Sequence, residues 1–294
     1  MRAGGIVAFP TETVYGLGAD AENETAVRRV FAIKGRPLGH PVIVHVADAR
    51  ELEAWAREIP QSARVLTQRF WPGPLTLVLK RTSRASDLVT GGQDTVAIRA
   101  PSHPVAHEIL TRFGGGVIAP SANAFGGVSA TRAEHVAADL GDAVDMIVDA
   151  GPATIGIEST IVDLAHGVPT VLRPGGITRE QLADALGSPV RAERESEVRV
   201  PGSMPSHYAP KARVELARTD AEGMALAKRL ETQGVRARFI GSEDVEIFAR
   251  ELYDRLRAAD LEGAQTIVVV LPAEAGLGAA VRDRLLRAAA GKPP

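Results

Sequence analysis

The chain has 294 residues, with 34 Lys and Arg against 36 Asp and Glu and a formal net charge of -2, too near neutrality for a protein whose main task is to hold nucleic acid by charge. Its 45% hydrophobic and 24% charged residues exclude disorder and collagen-like repeats. With no cysteine, disulfides, thiolate metal sites, iron–sulfur clusters and cysteine nucleophiles are excluded too, and 4% aromatics is too little for a base-stacking platform. The length exceeds what one core usually organises, so two domains are expected. The first apolar run, 6–9, is too short for a signal-peptide core, and no stretch approaches the roughly 20 apolar residues of a membrane span; a cytoplasmic location without membrane attachment is expected.

In chain order, apolar runs at 6–9, 42–46, 75–79, 95–99, 117–119, 146–148, 160–162 and 170–172 read as strands. Helices with recognisable starts lie between them: Asn23 ahead of Ala26, Val27, Val30 and Phe31; Asp48 ahead of Leu52 and Trp55; Ser102 ahead of Val105 and Ile109; Thr178 ahead of Leu182 and Leu186. Seven or eight strands and about five helices in mixed order predict an α/β domain over 1–187 with a twisted, partly antiparallel sheet. From 188 to 212 charges alternate without apolar period (Arg191, Glu193, Arg194, Glu195, Glu197, Arg199), and Pro201-Gly-Ser-Met-Pro-Ser-His-Tyr-Ala-Pro-Lys211 follows, which reads as a linker. Beyond it, strands near Val214 and at 237–240 and 266–271 alternate with helices at 222–232, 244–261 and 277–289. Three such β-α units predict a small Rossmann-like domain with a parallel sheet over 213–294.

Several familiar signals fail. Gly16-Leu-Gly-Ala-Asp-Ala21 fits the dinucleotide pattern G-x-G-x-x-A, but that turn must directly follow a strand, and the nearest strand ends at Phe9. Gly276-Leu-Gly-Ala-Ala-Val281 is a second near-match; turn or helix-packing glycines are the better reading of both. There is no Walker loop, no H-E-x-x-H and no G-x-S-x-G elbow, and the 7 His are scattered, so no metal site is expected.

Polar groups instead gather where the chain leaves strands. Phe9-Pro-Thr-Glu-Thr-Val-Tyr-Gly-Leu-Gly18 is a hydroxyl-rich loop with Glu12 its only charge. Ala32-Ile-Lys-Gly-Arg-Pro37 closes the first helix with two cations, which either neutralise the helix dipole at the surface, a contribution of about 0.3–1 kcal/mol, or reach a ligand. His45 lies within an apolar strand. Arg99 and Arg173 each end a strand ahead of a proline turn, as carboxylate or phosphate clamps or as surface ion pairs. Ala119-Pro-Ser-Ala-Asn123 and Gly156-Ile-Glu-Ser-Thr160 bring hydroxyls and small residues to strand edges, suited to close approach of a ligand or to capped turns.

Six words stand in order: Pro10-Thr-Glu-Thr-Val-Tyr-Gly-Leu-Gly18, Lys34-Gly-Arg-Pro37, Pro120-Ser-Ala-Asn123, Gly156-Ile-Glu-Ser-Thr160, Leu172-Arg-Pro-Gly175 and His207-Tyr-Ala-Pro210. The chain resembles, over nearly its whole length, the YrdC-like family of threonylcarbamoyl-AMP synthases in its long form: a catalytic domain with a twisted mixed sheet and flanking helices, a linker, and a small C-terminal domain. The resemblance implies that L-threonine, bicarbonate or CO2, and ATP give threonylcarbamoyl-adenylate and pyrophosphate, and that a tRNA threonylcarbamoyl transferase complex carries the group to the adenosine beside the anticodon. It implies threonine contacts at Thr13, His45, Arg99, the Ala119 backbone and Ser159, and ATP contacts at Lys34, Arg36, His40, Thr95, Ser121, Asn123, Ser129, Arg173 and Tyr208, with Tyr15 a neighbour. Lys34, Arg36 and Arg173 would carry the chemistry, with Mg2+ arriving on the ATP phosphates, and Tyr208 would close over the nucleotide as part of a lid. As ligand-facing side chains, Lys34 and Arg173 should be removable by substitution with alanine without changing the melting temperature. His40 stands where Asn is expected in many relatives, and residues that precede the first strand in many relatives are expected to be missing here.

The alternative is an RNA-binding module without adenylate-forming activity, in which Lys34, Arg36, Arg99 and Arg173 contact phosphates and binding is weak and salt-sensitive. A carbamoyl-adenylate-forming hydrogenase maturation protein would need further modules for which this chain has no room and no cysteine.

Overall fold

The computed structural model describes residues 1–192, 196–241 and 244–291; Glu193, Arg194 and Glu195 of the charge-alternating linker lie outside them. The first unit contains β1 (Val7–Phe9), β2 (Gly16–Asp20), α1 (Glu24–Lys34), β3 (Ile43–His45), α2 (Leu52–Trp55), α3 (Gln61–Phe70), β4 (Leu75–Lys80), α4 (Asp87–Thr90), β5 (Thr95–Arg99), α5 (Pro104–Phe113), β6 (Val117–Ile118), α6 (Ala133–Leu140), β7 (Met146–Ile147), β8 (Thr160–Asp163), β9 (Thr170–Arg173), α7 (Arg179–Leu186) and β10 (Arg191–Ala192). The second contains β11 (Arg213–Ala217), α8 (Asp220–Thr232), β12 (Ala237–Ile240), α9 (Val245–Leu261), β13 (Thr266–Val270) and α10 (Leu277–Ala289). The first sheet has ten strands in the order β10-β9-β8-β4-β5-β3-β6-β2-β1-β7, mixed as expected: β3 runs parallel to β5, and β4 antiparallel to it. In the three-stranded sheet β13 lies between β11 and β12, parallel to both.

Asn23 caps α1 through a bond from the Ala26 amide, and Thr178 makes a capping box with Gln181 on α7, so two expected starts are real caps. At α5 the cap is His103, whose ring nitrogen accepts from the Val105 amide, not Ser102; Pro104 as the first helical residue fixes the boundary one position later. The largest correction is β2, in a stretch whose sequence reads as a loop. Its Gly-Leu-Gly-Ala-Asp residues lack β-branched side chains, yet they form a buried strand between β1 and β6. A Cβ on Gly18 would sit 2.5 Å from the Phe9 ring; the glycines of the dinucleotide-like pattern serve sheet packing.

The main core fills the first unit around Leu17, Val30, Trp55, Leu77 and Ile98. A second core crosses the two units: Val14, Val128 and Ile157 pack with Tyr208 of the linker and with Phe248, Leu252, Tyr253 and Leu285 of α9 and α10. The contact is close at Gly156 (φ +81), where a Cβ would meet the Arg250 carbonyl oxygen at 2.2 Å. The linker crosses the first sheet by laying Val198 and Val200 on Ile43, Val78, Ala97, Ile161 and Leu172.

Candidate active site

The polar words converge on one cavity of about 50 Å³ over the C-terminal ends of β3, β5 and β9, lined by Thr13, Arg36, His45, Arg99, Ala119, Ser121, Glu158, Ser159, Arg173 and the linker residues Pro201, Gly202, His207 and Tyr208, among others. The loop after β1 is set by Thr11, whose hydroxyl donates to the Val14 carbonyl at 2.6 Å and touches the Thr13 hydroxyl at 2.9 Å. This brings Thr13 to Arg99, whose Nη1 donates to Thr13 Oγ1 at 2.9 Å while its Nε donates to the Gly73 carbonyl. Glu12 lies 2.8 Å from Arg99 Nη2, without hydrogen-bond alignment. Burial alone would raise the Glu12 pKa, but the closeness of Arg99 and the backbone amides of Glu12 and Ser102 together outweigh it and hold the carboxyl below its ordinary value.

The second word is built by a helix end. Gly35, at φ +64 with open space around its Cβ position, stops α1 in a left-handed turn. Lys34 is thereby left on the buried side and Arg36 sent to the cavity. Lys34 Nζ donates to the Ser121 carbonyl at 2.5 Å and the Asn123 carbonyl at 2.6 Å. With Lys34 only 4% exposed, the surface dipole-capping reading is excluded: this cation ties down the Pro-Ser-Ala-Asn segment from behind. Burial, with Arg36 adding to it, lowers the Lys34 pKa to about 7, and burial lowers that of Arg36 to about 10. Arg36 Nη2 donates to the Pro41 carbonyl at 2.7 Å.

Arg173 closes the far side. Its Nε and Nη2 donate to the Ser159 carbonyl at 3.1 and 2.8 Å, Nη2 also reaches Ser159 Oγ at 3.1 Å, and Nη1 donates to the Pro201 carbonyl of the linker at 3.0 Å. The burial of Lys34 and Arg173 argues against the expectation that they can be removed without thermal cost: each holds backbone carbonyls, and a carbonyl left without a donor, as that of Asn123 would be without Lys34, costs about 1–3 kcal/mol. Gly175, two residues on, lies directly on the Glu158–Thr160 backbone, where a Cβ would come within 2.4 Å of three main-chain atoms.

Three guanidinium groups thus surround a small cavity, with the exposures of Arg36, Arg99 and Arg173 at 8%, 4% and 4%. Of the eleven buried side-chain polar atoms that lack a hydrogen bond among the described residues, five belong to its wall: Arg36 Nε, Arg99 Nη2, His45 Nδ1, His207 Nδ1 and the Tyr208 hydroxyl. Such atoms are rare in folded proteins, and their gathering fits a polar, anionic guest. Burial lowers the pKa of both His45 and His207 to about 3, so both are neutral at pH 7.

Other expected site residues stand elsewhere. Asn123 lies behind Ser121, its side-chain amide donating to Ala124 and Gly127 carbonyls. Ser129 donates to Glu158 Oε1 at 2.6 Å and meets the cavity through it. His40 is not part of the cavity lining; it stands edge-on to Phe125, which in turn meets His207 of the lining edge-on. The Tyr15 hydroxyl donates to the Gly151 carbonyl, away from the cavity. Thr95 shares a face of β5 with Arg99 but sits about 13 Å along it, in a separate cavity of about 520 Å³ with Lys80 and Asp163; Val198 and Val200 cover the stretch between. Sequence reasoning passed over Glu12, visible as a lone charge in its loop, Glu158, inside a quoted word, and Arg284, which enters from α10 to bind Glu158. The signal for Arg284 was a charge inside the apolar stripe Val281, Leu285 and Ala288.

A family model of the Sua5/YciO/YrdC type, described as telomere recombination, matches residues 1–175, and one described as threonylcarbamoyl-AMP synthase, C-terminal domain, matches residues 177–290. Threonylcarbamoyl-AMP synthase of Pyrococcus abyssi is 40% identical, with 98% of this chain and 91% of that protein covered. The Bacillus subtilis protein of that name is 39% identical over 99% of this chain and 91% of its own length. The crystal structure of P. abyssi Sua5 complexed with L-threonine superposes with a TM-score of 0.93 at 41% identity, covering 98% of this chain and 91% of that one. Full-length HypF shares the fold alone, at 19% identity, a TM-score of 0.50 and 27% of its chain.

Proposed function

The chain belongs to the threonylcarbamoyl-AMP synthase family, in its two-domain form, and is an enzyme of nucleotidyltransferase type; from that premise we propose that it joins L-threonine, bicarbonate or CO2, and ATP into threonylcarbamoyl-adenylate with release of pyrophosphate, for transfer to tRNA by a partner complex. The observation that carries this reading is the arginine-walled cavity with its five polar atoms that lack a hydrogen bond. L-Threonine, bound by the P. abyssi relative, would bring its carboxylate to the Arg99 guanidinium, in competition with Glu12 at 2.8 Å, and its hydroxyl within reach of the neutral His45 imidazole, with Thr13, the Ala119 backbone and Ser159 completing the pocket. Its amine captures CO2 as a carbamate; a carbamate oxygen attacks the α-phosphorus, and the bond to the bridging oxygen breaks as pyrophosphate leaves. No protein nucleophile takes part, so the protein contributes position and charge. Arg36 and Arg173 would neutralise the phosphates, with Ser121 and His40 beside them; Lys34, Asn123 and Ser129 would act from behind the wall, by holding it.

The carboxylates nearest the cavity, Glu12 and Glu158, are committed to Arg99 and Arg284, so they do not fit as metal ligands. A Mg2+ would be carried by the phosphates and water. A cavity of about 50 Å³ is also far below the roughly 300–1,000 Å³ of ligand pockets, which supports a closed linker that must withdraw for ATP to enter, with Tyr208 as its inner face. The RNA-binding alternative is disfavoured because Lys34, Arg36, Arg99 and Arg173 are buried and engaged internally, out of reach of a polyanion backbone. No helix among the described residues is long and apolar enough to cross a membrane, which is compatible with a cytoplasmic enzyme. The test is pyrophosphate release from ATP and bicarbonate with and without L-threonine, with L-serine as control. Threonine-dependent release is expected; release indifferent to threonine would refute the reading.

A further inference from the structure

Glu158 is 6% exposed and sits in the cavity wall, and its three partners come from three parts of the chain. Oε1 accepts from Ser129 Oγ at 2.6 Å; Oε2 accepts from the Tyr253 hydroxyl of α9 at 2.9 Å and from Arg284 Nε of α10 at 2.7 Å. Arg284 is 1% exposed, although it occupies a core position of its helix. Its Nη1 is paired with Asp283, and its guanidinium lies 5.1 Å over the Tyr208 ring, which stacks on Tyr253 at 5.7 Å. The second unit also grips Ser129 from the other side: Arg257 of α9 donates to the Ser129 carbonyl at 3.3 Å, to the Val128 carbonyl, and pairs with Asp139.

An unpaired carboxylate in the wall of a cavity that receives a polyphosphate would repel it or bind a proton, and protonation would weaken its hold on Ser129. A buried charge of this kind persists only when it is paired and hydrogen-bonded. The ion pair and two of the three hydrogen bonds come from the second unit, while the first contributes the Ser129 hydroxyl and the charge of Arg173. We infer that Arg284 and Tyr253 are positioning residues of the active site: acting through Glu158, they neutralise the anionic side of the nucleotide pocket and fix Ser129, so that the C-terminal unit completes the ATP subsite. The inference rests on the reading above that the cavity takes ATP.

The test compares Arg284→Gln, Tyr253→Phe, Glu158→Gln and the double variant Glu158→Gln/Arg284→Gln in the full chain. The readouts are KM for ATP and for L-threonine, Kd for a non-hydrolysable ATP analogue, and melting temperature. Arg284→Gln should raise KM and Kd for the nucleotide about tenfold or more, the size of a lost bond to a charged group, and leave KM for threonine within about twofold. The double variant, which removes the stranded charge, should recover most of that loss. Tyr253→Phe, which deletes one hydroxyl and keeps the packed ring, should raise the nucleotide KM several-fold and carries the test if Arg284→Gln does not fold. Unchanged nucleotide constants in Tyr253→Phe and a folded Arg284→Gln would overturn the inference. So would equal rises for ATP and threonine with no recovery in the double variant, because that pattern marks a general loss of structure. If the unaltered protein binds nucleotide but releases no pyrophosphate with threonine, the proposed reaction fails, and the Kd values still judge the positioning. If it binds no nucleotide at all, both fail.

Discussion

Gly202→Ala should open the linker. Gly202 is at φ +78, and a Cβ there would lie 2.3 Å from the Tyr208 hydroxyl oxygen and 3.4 Å from Arg173 Cδ. The left-handed backbone costs alanine about 1–2 kcal/mol, and the clash adds at least the loss of the Tyr208 hydroxyl's seat, so the closed segment is weakened by roughly 2–3 kcal/mol, a shift of about 30- to 150-fold in its opening equilibrium. Amide hydrogen exchange reads this directly: the Ala209 amide, bonded to the Gly126 carbonyl at 3.0 Å, should exchange faster by about that factor, while β4 and β5 amides stay as they were. Gly35→Ala is the control, since Gly35 has a similar φ of +64 and nothing within 4 Å of its Cβ position; it bears the backbone cost without touching the linker. Exchange at Ala209 no faster in Gly202→Ala than in Gly35→Ala would refute the idea that the close approach of Gly202 to Tyr208 holds the linker shut.

Lys34→Met should lower the melting temperature by several degrees as well as abolish adenylate formation, because the Asn123 carbonyl loses its buried donor at about 1–3 kcal/mol while the Ser121 carbonyl keeps only the Asn123 amide; calorimetry showing an unshifted, inactive variant would return Lys34 to a purely ligand-facing role. His45 and His207 have native pKa values near 3 against 6.5 for the ordinary group, so the unfolded chain takes up protons that the native one does not. Stability is therefore full above about pH 6.5 and falls as the pH drops toward 3, by about 1.5 kcal/mol per histidine between pH 6.5 and about pH 5. His45→Asn should remove its share of that slope in denaturant titrations, and an identical slope would contradict the burial argument. Gly156→Ala adds a Cβ 2.2 Å from the Arg250 carbonyl oxygen at φ +81. It should destabilise clearly more than Gly35→Ala, and equal melting temperatures for the two would argue against tight seating of α9.

Elements that carried their own signal were legible from sequence. The Thr178 capping box, the apolar run of β5 and the stripe of α10 each follow from local chemistry. What was illegible depended on distant partners. β2 is a strand of small residues because Phe9 and Ala119 leave room for nothing larger beside Gly18 and Gly16. α3 and α6 start without a side-chain cap, at Pro60 and Arg132, so their boundaries had no marker. At the site, Arg99, His45 and Arg173, each singled out from its place in a strand, line the cavity, whereas the Ser121 and Asn123 carbonyls that Lys34 holds come from a distant segment and carry no local signal. Glu158 shows the limit most clearly: its word was visible, but its partners lie 29, 95 and 126 residues away. Only the folded chain brings the two units together around it.

The central claim is that the arginine-walled cavity makes a carbamoylated amino-acyl adenylate, and product identification tests it most directly. With isotopically labelled bicarbonate, ATP and L-threonine, mass spectrometry should find a product that contains threonine, AMP and the label in equal proportion, formed with one pyrophosphate, and Arg99→Met should lower its yield by raising KM for threonine. AMP joined to threonine without the label, or pyrophosphate released without any adenylate that carries it, would contradict the account.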